Sequence, residues 1–252
     1  MTDKEIKNLL DEKFELYHRP NFIQDDPIQI PHRFSKKEDI EISGFLVATI
    51  AWGQRKTIIN NANKLMELMD NAPHDFIINH KPKDLKRFQG FVHRTFNEAD
   101  IQFFISSLRN IYNTHDGLEE VFALNRKDMR MSISHFKKVF FEVEHLTRTQ
   151  KHVSDPLKGS AAKRINMYLR WMIRNSSEGI DFGIWKTITP SALFLPLDVH
   201  TGNVSRKLGL TSRKQNNWIT VNEITEKLRV FCPEDPIKYD FSLFGLGVYE
   251  KH

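Results

Sequence analysis

The run Ile40–Gly53, IEISGFLVATIAWG, constrains the fold more than any other segment. It is long enough for a helix and apolar on most sides, so it belongs in the centre of the molecule, with the other elements packed around it. Ser35 and Glu38 have capping-box spacing at its start, and Gly53 marks its end. The surrounding segments are helical in period as well. Ile6, Leu9, Leu10, Phe14 and Tyr17 share one face, and after a loop with Pro20, Pro27 and Pro31 comes a stripe of Ile58, Ile59, Ala62, Leu65, Met66 and Met69. Asn97 is placed to cap a helix with Ile101, Phe104, Ile105, Leu108, Ile111 and Tyr112 inward, and a fifth helix is expected from Asp128 to Arg148. Asp155, Pro156 and Gly159 then break the period, and a new helix starts at about Ala161. Thr220 and Glu223 have capping-box spacing before a helix that Pro233 ends, and a short last helix is expected over Tyr239 to Phe244. Convincing strand pairs and repeats are lacking, so the expected fold class is all-α.

Several chemistries are excluded early. The single cysteine, Cys232, leaves no internal disulfide, four-cysteine zinc site or ordinary iron–sulfur cluster. The eleven histidines form no HExxH pair, and neither a nucleotide-binding glycine fingerprint nor a GxSxG elbow occurs. No metal and no cofactor is expected. No run approaches the roughly 18 apolar residues of a membrane helix, and the opening Met-Thr-Asp-Lys-Glu is no signal peptide, so a cytoplasmic protein is expected.

Positive charge is concentrated rather than spread. The whole chain has a formal charge of +5, yet the window Arg148–Arg174 alone holds seven basic residues against Asp155, a net +6. Lys163, Arg164, Arg170 and Arg174 are expected around the outer surface of its helix, a distribution suited to a polyanion such as DNA. The same pattern also reads as a solvated basic face.

Within this region the turn Leu157-Lys158-Gly159-Ser160-Ala161 precedes a helix that begins near Lys163. Such a turn lets backbone N–H groups approach a phosphate, with the helix dipole adding to the attraction. A neutral lysine amine attacks an electrophilic sugar carbon to form a Schiff base, and burial or neighbouring cations would favour the neutral form. Asp198, before His200, suits either a helix cap or the stabilisation of positive charge on a deoxyribose. Taken singly, Lys163 reads equally as a solvated helical lysine.

The block LDVHTGNVSRKLGL resembles the VDTHVxRVxxRLGL segment of the helix-hairpin-helix DNA glycosylases, the superfamily of endonuclease III and the 8-oxoguanine glycosylases, with the family's aspartate falling on Asp198. LKGSAAKR is similar to its LPGVGRKT hairpin, whose lysine falls on Lys163. FLVATIAWGQRKTIINNANKL is similar to LLIAVILSAQTTDKSVNKA, and DPIKYDFSLFGLG to the terminal helix of the 8-oxoguanine group. The whole sequence resembles still more closely a family of uncharacterised bacterial proteins placed near that superfamily.

The resemblance implies a bilobal fold with residues 35–174 in one lobe, residues 1–34 and 175–252 in the other, and damaged duplex DNA bound across the cleft by a monomer. It implies base-excision repair with glycosylase and AP lyase activity, on oxidised purines such as 8-oxoguanine. Lys163 would be the nucleophile and Asp198 its partner. Gln54 would probe the vacated helix, and Lys158, Gly159, Ser160, Ala161, Arg164 and His200 would contact DNA. Trp52, Asp240 and Phe244 would line the base pocket. The turn departs from the family at Lys158 and Ala161, where the family has proline and glycine, and Lys158 is a competing nucleophile. The extra segment RNSSEGIDFGIWKTITPSAL is expected to loop out between Lys163 and Asp198. The alternative function is a non-enzymatic nucleic-acid-binding protein.

Overall fold

The computed structural model describes residues 1–250 and is mostly helical. Helix α1 (Asp3–Tyr17) opens with a capping box in which Thr2 and Glu5 satisfy each other's backbone N–H groups, and it buries Ile6 and Leu10. The proline loop after it carries a short α2 (Phe22–Asp25) and two 3-10 turns. Helix α3 (Lys37–Ile50) is central as expected, every residue from Ile40 to Ile50 being buried. Its one buried charge, Glu41, accepts from the Tyr112 hydroxyl and Trp185 Nε1, both at 2.6 Å. The expected capping box at Ser35 and Glu38 does not form. Lys36 occupies the cap without a side-chain bond, and Asp39 instead accepts from the backbone N–H of His74 at 2.8 Å.

Helices α4 (Arg55–Leu68) and α5 (Pro73–Asn79) lead to a small antiparallel pair, β1 (Val92–His93) and β2 (Phe96–Asn97). Asn97 then caps α6 (Glu98–Thr114) in a reciprocal box with Asp100. Beyond α7 (Leu118–Ala123), α8 (Met129–Phe140) ends well before the expected Arg148. Tertiary bonds outcompete the local helical pattern here. Arg148 and Thr149 are drawn to the buried Asp100 carboxylate at 2.8 and 2.7 Å, while Lys137 donates to the carbonyls of Gln150 and Val153.

Helix α9 (Lys163–Ile173) crosses α3 at Gly44, where an added Cβ would lie 3.0 Å from Met172 Cε. The extra segment that follows does not loop out. It folds back on the end of α9, Phe182 and Trp185 donating to the carbonyls of Trp171 and Met172 at 2.8 and 3.0 Å, and it buries Ile180, Trp185 and Ile188. Helix α10 (Val199–Lys207) comes next, followed by α11 (Trp218–Phe231). Asn217 caps α11, so the expected box at Thr220 is also replaced: the Thr220 hydroxyl donates to the Gln215 carbonyl, and Glu223 accepts from Thr211. The last helix, α12 (Tyr239–Val248), runs one turn beyond the expected end and packs on both α1 and α10. Gly245 permits the α1 crossing, because a Cβ there would sit 2.0 Å from the Tyr17 ring. Among the described residues, no helix is long and apolar enough to cross a membrane.

Candidate active site

Two cavities meet at Lys163 and Asp198. The outer one is a cleft of about 530 Å³ that also touches Trp52, Arg55 and His200; the inner recess is walled by Phe22, Asp26, Arg170, Asp240, Phe241 and Phe244. The first is large enough for a small ligand.

Lys163 is the first residue of α9, and the backbone before it is unusual. Gly159 adopts a left-handed conformation (φ 86°), and so does Ala162 (φ 48°), a non-glycine residue for which that region is costly. The turn is anchored from outside: Gly159 O accepts from Trp218 N–H at 3.1 Å, and Ser160 bridges to Asn217. The arm preceding it is a 3-10 turn over Pro156–Lys158 and not the α-helix that a full hairpin requires, because Asp155 caps Leu157 at 3.0 Å and Pro156 starts the turn. Lys158 and Gly159 are exposed, Ser160 and Ala161 partly buried, and Lys158 lines neither cavity.

Asp198 divides its two oxygens between two tasks. Oδ1 caps α10, accepting from the backbone N–H groups of His200 and Thr201 at 2.9 and 3.0 Å. Oδ2 faces Lys163 Nζ at 4.0 Å, with the two side chains 26% and 30% exposed. This is a Coulombic contact too long for a hydrogen bond, leaving room for the lysine to engage something else. Nζ also donates to Met167 Sδ at 3.5 Å. Asp198 is therefore the expected cap of α10 through Oδ1, while Oδ2 faces the lysine ammonium.

The expected basic surface is largely internal. Arg170 and Arg174 are buried, Arg170 paired with Asp181 and Asp240, Arg174 with Asp181 and Asp235. Arg148 pairs with Asp100. Arg164 is not a free phosphate ligand either. Its guanidinium donates to the carbonyls of Thr49 and His152 and lies over Trp52, and burial lowers its pKa to about 10. Burying an arginine requires such acceptors, and on α9 the inward stripe is wide enough to claim these residues. Lys151 and Lys158 remain exposed.

The expected pocket residues come together. Asp240 and Phe244 line the inner recess, and Phe244 and Trp52 the outer cleft. Asp240 is buried, bonded to Arg170, and its pKa is pushed up to about 6 by burial against the opposing pull of that arginine. Trp52 lies under the Arg94 guanidinium at 4.6 Å, and its indole N–H is buried without a hydrogen-bond partner among the described residues. His200 is exposed on the first turn of α10 at the cleft edge. Gln54 is exposed at the start of α4, between Gly53 and Arg55 of the cleft wall, but is not itself part of the lining. Phe22, Asp26 and Arg55 were not anticipated. The one sequence signal was the Asp26-Pro27 pair, a cap followed by a turn start, and it carries no hint of a cleft. Among the described residues, no group of three or more His, Cys, Asp or Glu is disposed to hold a metal ion.

The chain belongs to the family described as protein of unknown function (DUF2400), which matches residues 26–249. No curated protein and no solved structure matches it.

Proposed function

We propose that this protein is a DNA base-excision repair glycosylase with AP lyase activity, acting on oxidised purines such as 8-oxoguanine, with Lys163 as nucleophile and Asp198 as its partner. The observation that carries this reading is the approach of Lys163 Nζ to Asp198 Oδ2, 4.0 Å apart at the junction of two cavities. The sequence resemblance to the helix-hairpin-helix glycosylases selected the same two residues. In this reading residues 35–174 and the remainder form two lobes, with damaged duplex held across the cleft by a monomer in the cytoplasm. The target nucleotide leaves the stack, since its glycosidic bond is out of reach inside the duplex. The base enters the outer cleft against Trp52 and Phe244, aromatic rings suited to stacking, with Asp240 in the inner recess behind them.

The chemistry follows from the lysine. Neutral Nζ attacks C1′, the bond from C1′ to the base breaks, and the base departs with the bonding electrons. The Asp198 carboxylate stabilises the positive charge that develops at the sugar. Opening of the sugar ring gives a Schiff base, from which β-elimination nicks the strand. Ala161 and the first turn of α9 offer backbone donors for a phosphate, and Gln54 stands at the cleft rim.

The test is borohydride trapping on a duplex with one abasic site, comparing the wild type with Lys163→Gln and Lys158→Gln. The expected result is a covalent adduct for the wild type and Lys158→Gln and none for Lys163→Gln. An adduct that survives Lys163→Gln overturns the assignment of the nucleophile. Absence of any adduct, with salt-dependent DNA binding retained, would favour a non-enzymatic binding protein.

A further inference from the structure

Asp26 lies in the proline loop, far in sequence from both Lys163 and Asp198, yet it lines the inner recess and the outer cleft together with them. Its backbone is the cap of the Pro27–Gln29 turn, and Oδ1 accepts from the Ile28 N–H at 3.0 Å. No cation lies within ion-pair distance of its carboxyl group among the described residues, in contrast to Asp240 and Asp198. The second oxygen is thus uncommitted where the two cavities join.

We infer that Asp26 is a third catalytic residue of this site, the proton donor to the departing base. The inference rests on the glycosylase reading above, which assigns the nucleophile and the sugar-side carboxylate but leaves the base without a proton. In the step, the Nζ lone pair forms the bond to C1′ and the electrons of the broken glycosidic bond go to the base nitrogen. The Asp26 carboxyl proton passes to the base, which leaves neutral, and Asp26 becomes a carboxylate. The proton shed by the new sugar-bound amine passes to solvent or Asp198.

The division of labour has a physical basis. Burial pushes the Asp26 pKa up, against the lowering by Ile28 N–H, Arg170, Lys163 and Arg55, and that direction favours the protonated form a donor needs. Asp198, with Oδ1 serving the α10 cap, is suited to remain the charge partner. The charged and titratable groups that line the two cavities with Asp26 are Lys163, Arg164 and Arg170 from α9, Arg55 from α4, Asp198 and His200 from α10, and Asp240 from α12.

The experiment compares wild type, Asp26→Asn and Lys163→Gln in two assays. One is single-turnover base release from duplexes carrying 8-oxoguanine, thymine glycol, hypoxanthine or uracil. The other is borohydride trapping on a preformed abasic site, where no base has to leave. Asparagine keeps the acceptor for Ile28 N–H and removes the acid. The expected result is base release slowed by about 10²-fold or more in Asp26→Asn, with loss of the decline in rate at high pH, and a much smaller effect on trapping. Equal losses in both assays, or release at the wild-type rate, would overturn the role. So would a wild-type protein that traps the abasic site but releases none of the four bases, because a donor to a departing base would then have no substrate. Failure of the wild type to trap at all is a separate result: it removes the lysine mechanism itself, and the Asp26 role with it.

Discussion

At the N-terminal end of α9, Lys163 is 30% exposed with one carboxylate 4.0 Å away, while near the C-terminal end Arg170 and Arg174 are 6% and 4% exposed and share Asp181, Asp235 and Asp240. These residues belong to one basic helix and have the same sign of charge. They differ in solvation and in the number of partners. A cation removed from water requires close, hydrogen-bonded counter-charges, and those contacts commit it to the fold. A cation left partly in water at the mouth of a recess keeps its donor available. Number of partners, more than charge, separates the structural end of α9 from the end proposed to react.

The strongest challenge to this contrast is substitution at both ends. Lys163→Gln is expected to abolish trapped adduct while changing stability by no more than about 0.5 kcal/mol, as read by urea denaturation. Arg170→Ala is expected to lose about 3–5 kcal/mol in the same measurement, because it leaves Asp181 and Asp240 buried with too little counter-charge. Similar losses at the two positions would erase the distinction.

A pH titration sharpens the same point. His18 accepts from Arg174 and the Ser176 hydroxyl on Nε2, and its pKa is lowered to about 4, chiefly by burial and then by Arg174. A lowered histidine pKa means that the unfolded chain binds the proton more readily. The stabilisation is therefore complete above about pH 6.5 and is lost as pH falls toward 4, by up to about 3 kcal/mol. Asp240 has the opposite sign, since its folded pKa is raised to about 6 and its contribution fades as pH rises through that value. The difference between wild type and His18→Gln across pH 7 to 4 isolates the histidine, and a flat difference would contradict its neutral buried state.

Packing supplies a smaller effect. Gly245→Ala places a methyl 2.0 Å from the Tyr17 ring and is expected to cost about 1–3 kcal/mol by forcing α1 from α12, measured by thermal or urea unfolding. The smallest effect separates the two oxygens of Asp198. Asp198→Ala is expected to lose about 1 kcal/mol of cap stability, whereas Asp198→Asn retains most of it and still slows the chemistry.

The legible parts of the molecule were those governed by neighbours in sequence. The apolar run of α3, the Asn97 cap and the inward stripe of Ile165, Tyr168, Leu169 and Met172 follow from helical period and short-range hydrogen bonding. The Thr220 box has the same spacing but was lost to a loop carbonyl, the Ser35 box did not form because the helix is capped one residue later at Lys36, and α8 stopped early because Asp100, well before it in the chain, claimed Arg148 and Thr149. Spacing identifies a possible cap; competition decides whether it is used. At the site, resemblance pointed to Lys163 and Asp198, while the absence of any local pattern around Asp26 left that residue unread.

The sequence by itself determined a predominantly helical chain, its central helix, and a lysine and an aspartate placed at the starts of two helices. These depend on periodicity and on bonds spanning three or four residues, which any reader of the chain can reconstruct. Only the tertiary structure decided that Arg170 and Arg174 turn inward, that Arg164 serves backbone carbonyls, and that Asp26 joins Lys163 and Asp198 at one junction. Burial and Coulombic pairing depend on distances in space, and chain segments far apart in sequence set those distances only when they fold together.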